Sequence, residues 1–469
     1  MPGMKSMKSA LLTLLVTSAL GAAVPASAED LAEVYQRALR SDPVLREAEA
    51  NRLATLESRP QALANLLPQL NATGSWTRED QDFETLQQFT PNQVTAIRRE
   101  SDTDTTQWNL QLRQTLFRWE QFALYRAAGV EVAQAEVDFR NAQQDVITRA
   151  ATAYFNVLAA RDTLEAGEAA REAIARQLEQ ADKRFEVGLI AITDVQEARA
   201  ASDQANATVI EGKRALANAR ERLRELTGDL FDTLERPGDD MPLLAPDPAS
   251  EEDWVKAALD QNLALQSARL GAEIARENIA AARGGHFPAV DLVASRGGFD
   301  VDGDTTTTAL GQSTSFPAQQ DSDDTSIGVQ VTFPIYAGGA VSSRVREAVY
   351  RQRAARERLE RTARETERQT RDAYLNVLSG IARVQSLKQL VESNQVALQA
   401  TEAGYEVGTR TAVDVLQSRQ RLFQAQSDYA RTRYDYVLNV LALERAAGTL
   451  DEDRVLRVNG WLNEPVAVK

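Results

Sequence analysis

The sequence predicts a mainly α-helical chain with transmembrane β-strands, built from two internal repeats with two strands in each. Three observations lead there: self-similarity at one fixed offset, two pairs of alternating apolar and polar segments, and two helical stretches too long for a compact core. Tyr154-Phe155-Asn156-Val157-Leu158 recurs as Tyr374-Leu375-Asn376-Val377-Leu378, and Phe185-Glu186-Val187-Gly188 as Tyr405-Glu406-Val407-Gly408. The offset is 220 residues in both, and it also links Pro68 to Pro288 and Gly228 to Gly448. Repetition at a fixed spacing decides architecture before any local pattern does. Residues 29–228 and 251–448 are therefore read as two copies of one unit.

Residues 1–28 carry Lys5 and Lys8, an apolar run from Ala10 to Ala23 and then Ala26-Ser27-Ala28. That order describes a secretory signal peptide cut after Ala28. In the first copy, apolar residues at Leu31, Val34, Tyr35, Ala38 and Leu39 follow a helical period. The spacing predicts one helix over 31–66, ended by Leu67-Pro68 because the residue before proline is pushed out of the α region. Leu70, Ala72, Gly74 and Trp76 then alternate with polar residues, a polar loop follows, and Trp108, Leu110 and Leu112 alternate again, giving a β-hairpin over about 69–117. The second copy repeats this order: a helix over 251–282, Phe287-Pro288, and a hairpin over about 289–336. Its return strand places Ile327, Val329, Val331, Phe333 and Ile335 on one face.

Each hairpin feeds about 65 residues of helical pattern, from Glu120 to Glu186 and from Gly339 to Glu406, a rod of roughly 100 Å. Ala128, Val132, Ala135, Phe139, Ala142 and Val146 are spaced four, three, four, three, four, the seam of a coiled coil. Glycines at 188 and 408 break the rods, and second helices return to Gly228 and Gly448. Each copy thus holds a helical hairpin, with tips at 188–194 and 408–414. A proline-rich linker at 229–250 and the stretch 449–469 do not repeat, and are expected side by side outside the helices.

With 68 acidic and 53 basic residues the net charge is −15, which argues against a phosphate-reading surface for nucleic acid. The chain has no cysteine and one histidine, His286, read as a hinge or exposed residue. Strands with one apolar face flanked by Trp76, Trp108 and Phe333 match a membrane barrel, a soluble two-hairpin sheet fits such short segments as well, and the signal peptide favours the barrel. Four strands cannot close one, since such barrels begin at about 8 strands and tolerate no open edge in hydrocarbon. Three copies would supply 12, with the helices forming a tube below.

Long motifs then carry a family resemblance: Thr152-Ala153-Tyr154-Phe155-Asn156-Val157-Leu158, the run from Arg184 to Gln196, and the run from Gly404 to Leu416. Over nearly the whole mature chain the sequence resembles the outer membrane factor family of Gram-negative bacteria. The resemblance implies a homotrimeric 12-stranded β-barrel in outer-membrane lipid, continued by an α-helical coiled-coil tunnel in the periplasm. It implies a passive exit duct for drug-efflux pumps and type I secretion, docked to a periplasmic adaptor (membrane fusion) protein and driven by an inner-membrane transporter of the RND, ABC or MFS type. No cofactor or metal is implied. It also implies a gate at the tips, in which Tyr405 bonds Asp194, Arg410 holds Thr193 and Asp194, and Asp414 forms a ring of carboxylates. Gly188, Leu189, Gly408 and Thr409 resemble the adaptor's landing site. One departure stands out: the family's second acidic ring falls here on Gln417, so cation block at the entrance is expected to be weaker.

The copies differ where a gate would need them to. Phe185 corresponds to Tyr405, Ile190 to Arg410 and Glu197 to Gln417, so one copy supplies donors and the other the acceptor Asp194. An enzyme is not expected, because a paired site of Asp194 and Asp414 would need a concave, partly dry pocket that separates their pKa values, and alanine-rich rods offer none. The alternative is a periplasmic coiled-coil adaptor or scaffold, which would lack two amphipathic strand pairs each leading into such a helix.

Overall fold

A computed structural model describes residues 28–91, 93–238 and 240–469. The expected signal peptide, apart from Ala28, lies outside them. Where one helix was expected over 31–66, three form: α1 (Leu31–Ser41), α2 (Pro43–Leu56) and α3 (Ser58–Ala64). The first break is Asp42-Pro43. Asp42 turns extended, its carboxylate accepts from the Val44 N–H, and Pro43 takes the first helical position, where a missing N–H costs nothing. The second copy breaks at the corresponding Asn262, whose side chain caps Leu265, so α6 (Glu251–Gln261) and α7 (Leu263–Arg283) replace the helix expected over 251–282.

The loops expected inside the hairpins are strands. β1 (Gln69–Thr90) and β2 (Gln93–Phe117) pair antiparallel through residues 78–90 and 93–107, and β2 then pairs with β4 (Ala289–Ala309). These middles are mostly polar, and their few large apolar residues, such as Phe83 and Leu86, fall on both faces, so no alternation of hydrophobicity marks them, although the backbone ladder continues. The return strand of the second hairpin is interrupted by Pro317-Ala318-Gln319 into β5 (Gln312–Pro317) and β6 (Gln320–Thr332), both paired with β4. Phe333 and Ile335, expected on that strand, lie past its end around Pro334, which has no N–H for a ladder. The sheet therefore has four lanes, with β1 and the β5–β6 lane as its outer edges. Its register sets Leu70 opposite Leu112, Ala72 opposite Leu110, Ala294 opposite Ile327 and Leu292 opposite Val329 on one face, which is mostly apolar and also carries Gln114 and Arg296. That face is uncovered in the single chain: Leu70, Trp76, Ile327 and Val331 are all exposed.

The rods are α4 (Trp119–Glu186) and α8 (Ala340–Glu406), returned by α5 (Ile192–Thr227) and α9 (Ala412–Ala447). The expected seam of α4 is filled in part: Ala128 and Val146 are buried, while Val132, Ala135, Phe139 and Ala142 are half-buried. His286 is exposed in a 3-10 turn between α7 and β4. No helix among the described residues is long and apolar enough to cross a membrane.

The main core girdles the middle of the rods. There β3 (Thr233–Pro237) pairs antiparallel with β7 (Leu462–Ala467), next to α10 (Glu452–Asn459). The tyrosines of the repeated motif clamp this girdle to both copies. Buried Tyr154 donates its hydroxyl to the Glu29 and Glu235 carbonyls, and Tyr374 donates to the Ala249 carbonyl. The motif recurs because each copy must fix its own entering segment against its own rod.

Candidate functional site at the helical tips

Both rods end in the same turn. Gly188 and Gly408 adopt φ of 73° and 78°, a left-handed conformation that favours glycine. In the first tip the Gly188 N–H donates to the Phe185 carbonyl at 2.8 Å and the Leu189 N–H to the Arg184 carbonyl at 2.9 Å. In the second, Gly408 donates to Tyr405 at 3.2 Å and Thr409 to Gly404 at 2.8 Å. This is the doubly bonded glycine cap of a helix C-terminus. Capping is thus one role of these glycines, and it leaves Leu189 72% exposed beside Val187 at 70% and Val407 at 75%.

Beyond the turn the copies diverge. α9 begins with a capping box: the Asp414 N–H donates to the Thr411 hydroxyl at 3.2 Å, and the Asp414 carboxylate accepts from the Thr411 N–H at 2.9 Å and its hydroxyl at 3.0 Å. These bonds, the backbone one foremost, hold the Asp414 carboxyl below the usual carboxylate range. α5 has Ala191 at its N-cap position and no side-chain cap. Thr193 is exposed and Asp194 half-buried in its first turn, while Ile190 packs against Ala181, Val195 and Ala198. Arg410, the counterpart of Ile190, is exposed.

Within one chain, among the described residues, neither Tyr405 nor Arg410 makes a hydrogen bond or ion pair with Thr193 or Asp194. Tyr405 instead lies under the Arg184 guanidinium, 4.8 Å from its ring centre. A second feature joins the copies. Gln177, buried in α4, donates its amide to the Ala412 carbonyl at the start of α9 at 3.2 Å, while its own side-chain oxygen has no partner. Neither Arg184 nor Gln177 was picked out from sequence. Gln177 left a signal, as a polar residue at the buried spacing of Ile174 and Ala181. Gln417 is exposed on α9 and lines a cavity of about 200 Å³ with Gly167, Ile174, Ala205 and Phe423.

Three features stand out among the described residues: exposed apolar tips, a four-lane sheet with two free edges, and rods of this length. They fit one end, the other end and the shaft of a conduit. The sequence profile described as "Outer membrane efflux protein" matches residues 34–229 and 254–449, once for each copy. The chain is 37% identical over 471 residues to Outer membrane protein TolC of Escherichia coli, covering 98% of this chain and 90% of that protein. It is 27% identical over 428 residues to the Alkaline protease secretion protein AprF of Pseudomonas aeruginosa, covering 90% and 85%. Among solved structures, the CmeC outer membrane channel of Campylobacter jejuni superposes with a TM-score of 0.70 at 18% identity, over 93% of this chain and 90% of that one. The two matches of the profile together span most of the chain, and the chain belongs to the outer membrane efflux protein family.

Proposed function

We propose that three copies of this chain close a twelve-stranded barrel in the outer membrane and continue below it as a helical tunnel. The trimer is a passive exit duct for efflux pumps and type I secretion. The open sheet carries this reading: four lanes with an exposed apolar face and two free edges need neighbours in lipid, and β1 of one copy meeting the β5–β6 lane of the next supplies them. Relatives named for efflux and for protease secretion support both kinds of export.

At the tips, contacts of Tyr405 with Asp194 and of Arg410 with Thr193 and Asp194 form as the three copies pack, and Asp414 supplies one carboxylate ring with Gln417 in place of a second. Charge-assisted links of this kind are specific, yet each is worth only about 1 kcal/mol at a wet surface, which suits a gate that must open. The exposed turns at Gly188, Leu189, Gly408 and Thr409 receive the periplasmic adaptor, and an RND, ABC or MFS transporter drives export.

The trimer is tested by cysteine crosslinking, clean in a chain without cysteine. Cysteine at Ala72, combined in turn with cysteine at Ile327, Val329 or Val331, is expected to give an oxidised ladder ending at three chains. Purified protein that remains a single chain in detergent with every pair uncrosslinked would overturn the reading.

A further inference from the structure

The two copies carry opposite charge in the upper tunnel. Residues 340–371 of α8 hold ten arginines against five glutamates, while the corresponding 120–151 of α4 hold three arginines against five acidic residues. In a chain of net charge −15, such a basic stretch is local and one-sided.

Its direction follows from the girdle. Tyr374 bonds the Ala249 carbonyl and Arg371 pairs with Glu251 at 3.0 Å, so this side of α8 faces the outer belt. At about 100° per residue, Asp372 is turned about 100° from Arg371 and about 160° from Tyr374, away from the belt. Seven-residue steps keep one face of a supercoiled helix, and from Asp372 they run upward through Glu365, Arg358, Arg351 and Arg344. All five are exposed, whereas Gln352 and Thr366 are buried on a different face. Among the described residues the guanidiniums of Arg344 and Arg358 have no ion pair or hydrogen bond, and that of Arg351 pairs only with Glu347.

Resting on the duct reading, we propose that Arg344, with Arg351 and Arg358 beneath it, forms an anion-binding collar inside the tunnel just below the barrel, and that it takes small multivalent anions such as polyphosphates and polycarboxylates. The tiers stand about 10 Å apart, close to the screening length of about 8 Å at physiological salt, so adjacent tiers reinforce one another. The first copy grades the collar. At the heights of Arg351 and Arg358 it presents Glu131 and Asp138, which offset the lower tiers. At the height of Arg344 it presents Leu124 and so adds no carboxylate, while Glu347, which lines one groove with Arg344 and Arg351 beside α7, is paired with Arg351.

The test uses the full trimer in planar bilayers, with tripolyphosphate added from the barrel side so that it reaches the collar without passing the tips. Block is expected in the natural protein. Arg344→Gln is expected to raise the half-blocking concentration about tenfold and to shift the reversal potential toward cation selectivity, while Arg344→Lys keeps the block. Leu124→Glu, which leaves Arg344 in place, is expected to weaken block by supplying the missing counter-charge. Stable trimers of normal conductance whose block and reversal potential are unmoved by Arg344→Gln and Leu124→Glu would overturn the collar and leave the duct standing. A natural protein that forms no trimer or channel would remove both.

Discussion

Asp414 stays charged because its own turn holds it. The N–H and hydroxyl of Thr411 donate to its carboxylate and lower its pKa. A group lowered in the folded state keeps its contribution above the ordinary aspartate range and loses it only as pH falls through the lower folded value. Block of the channel by a multivalent cation from the tip side is therefore expected to persist in mild acid and to vanish only below the usual aspartate range. Asp414→Asn should reduce the block at neutral pH while its amide oxygen still accepts from Thr411. Bilayer recordings check both, and equal block in the variant would remove the carboxylate ring. Asp42 reaches a similar state by another route. Burial pushes its pKa up, but hydrogen bonds from Arg149 and the Val44 N–H prevail and hold it below the usual range. The sequence marked Asp414 through its neighbours in a long motif. It did not mark Asp42, whose partner Arg149 is 107 residues away.

At the scale of elements, corresponding glycines end α5 and α9 but meet different surroundings. Gly228 and Gly448 have φ of 79° and 81°. A Cβ at Gly228 would come no closer than 3.7 Å to the Ser41 side chain, whereas at Gly448 it would lie 2.4 Å from the Gln261 carbonyl oxygen. Gly228→Ala is expected to cost about 1 kcal/mol from backbone strain alone, and Gly448→Ala about 3 kcal/mol or more as the α6–α7 junction is displaced. Thermal denaturation of the two variants measures the difference, and equal losses would contradict the close approach at Gln261. Both glycines were legible as helix ends from sequence. Their inequality was not, because it depends on the break at Asn262 and on how α6 and α7 lie against α9.

For the whole molecule, the distribution of exposed apolar side chains separates the ends of the duct. The strands expose a broad, mostly apolar face at one end, the rods are covered by the girdle in the middle, and the tips expose a few residues, Val187, Leu189 and Val407 among them. The proposed gate belongs to this scale, since its contacts do not form within one chain among the described residues. Tyr405→Phe combined with Arg410→Ser is expected to leave the trimer intact and to raise single-channel conductance severalfold. Unchanged conductance would assign the closed state to other contacts, beginning with buried Gln177, which already ties α4 to α9.

Period and repetition determined the order of helices and strands, the long rods with their glycine turns, and the two copies, because each of these is written in residues close together in sequence or at one constant offset. Only the tertiary structure decided where the strands continue through polar sequence, where the entry helices break at Asp42 and Asn262, and which tip residues touch. Those outcomes depend on backbone ladders, caps and packing between segments tens to hundreds of residues apart, and neither hydrophobic period nor local propensity records such partners.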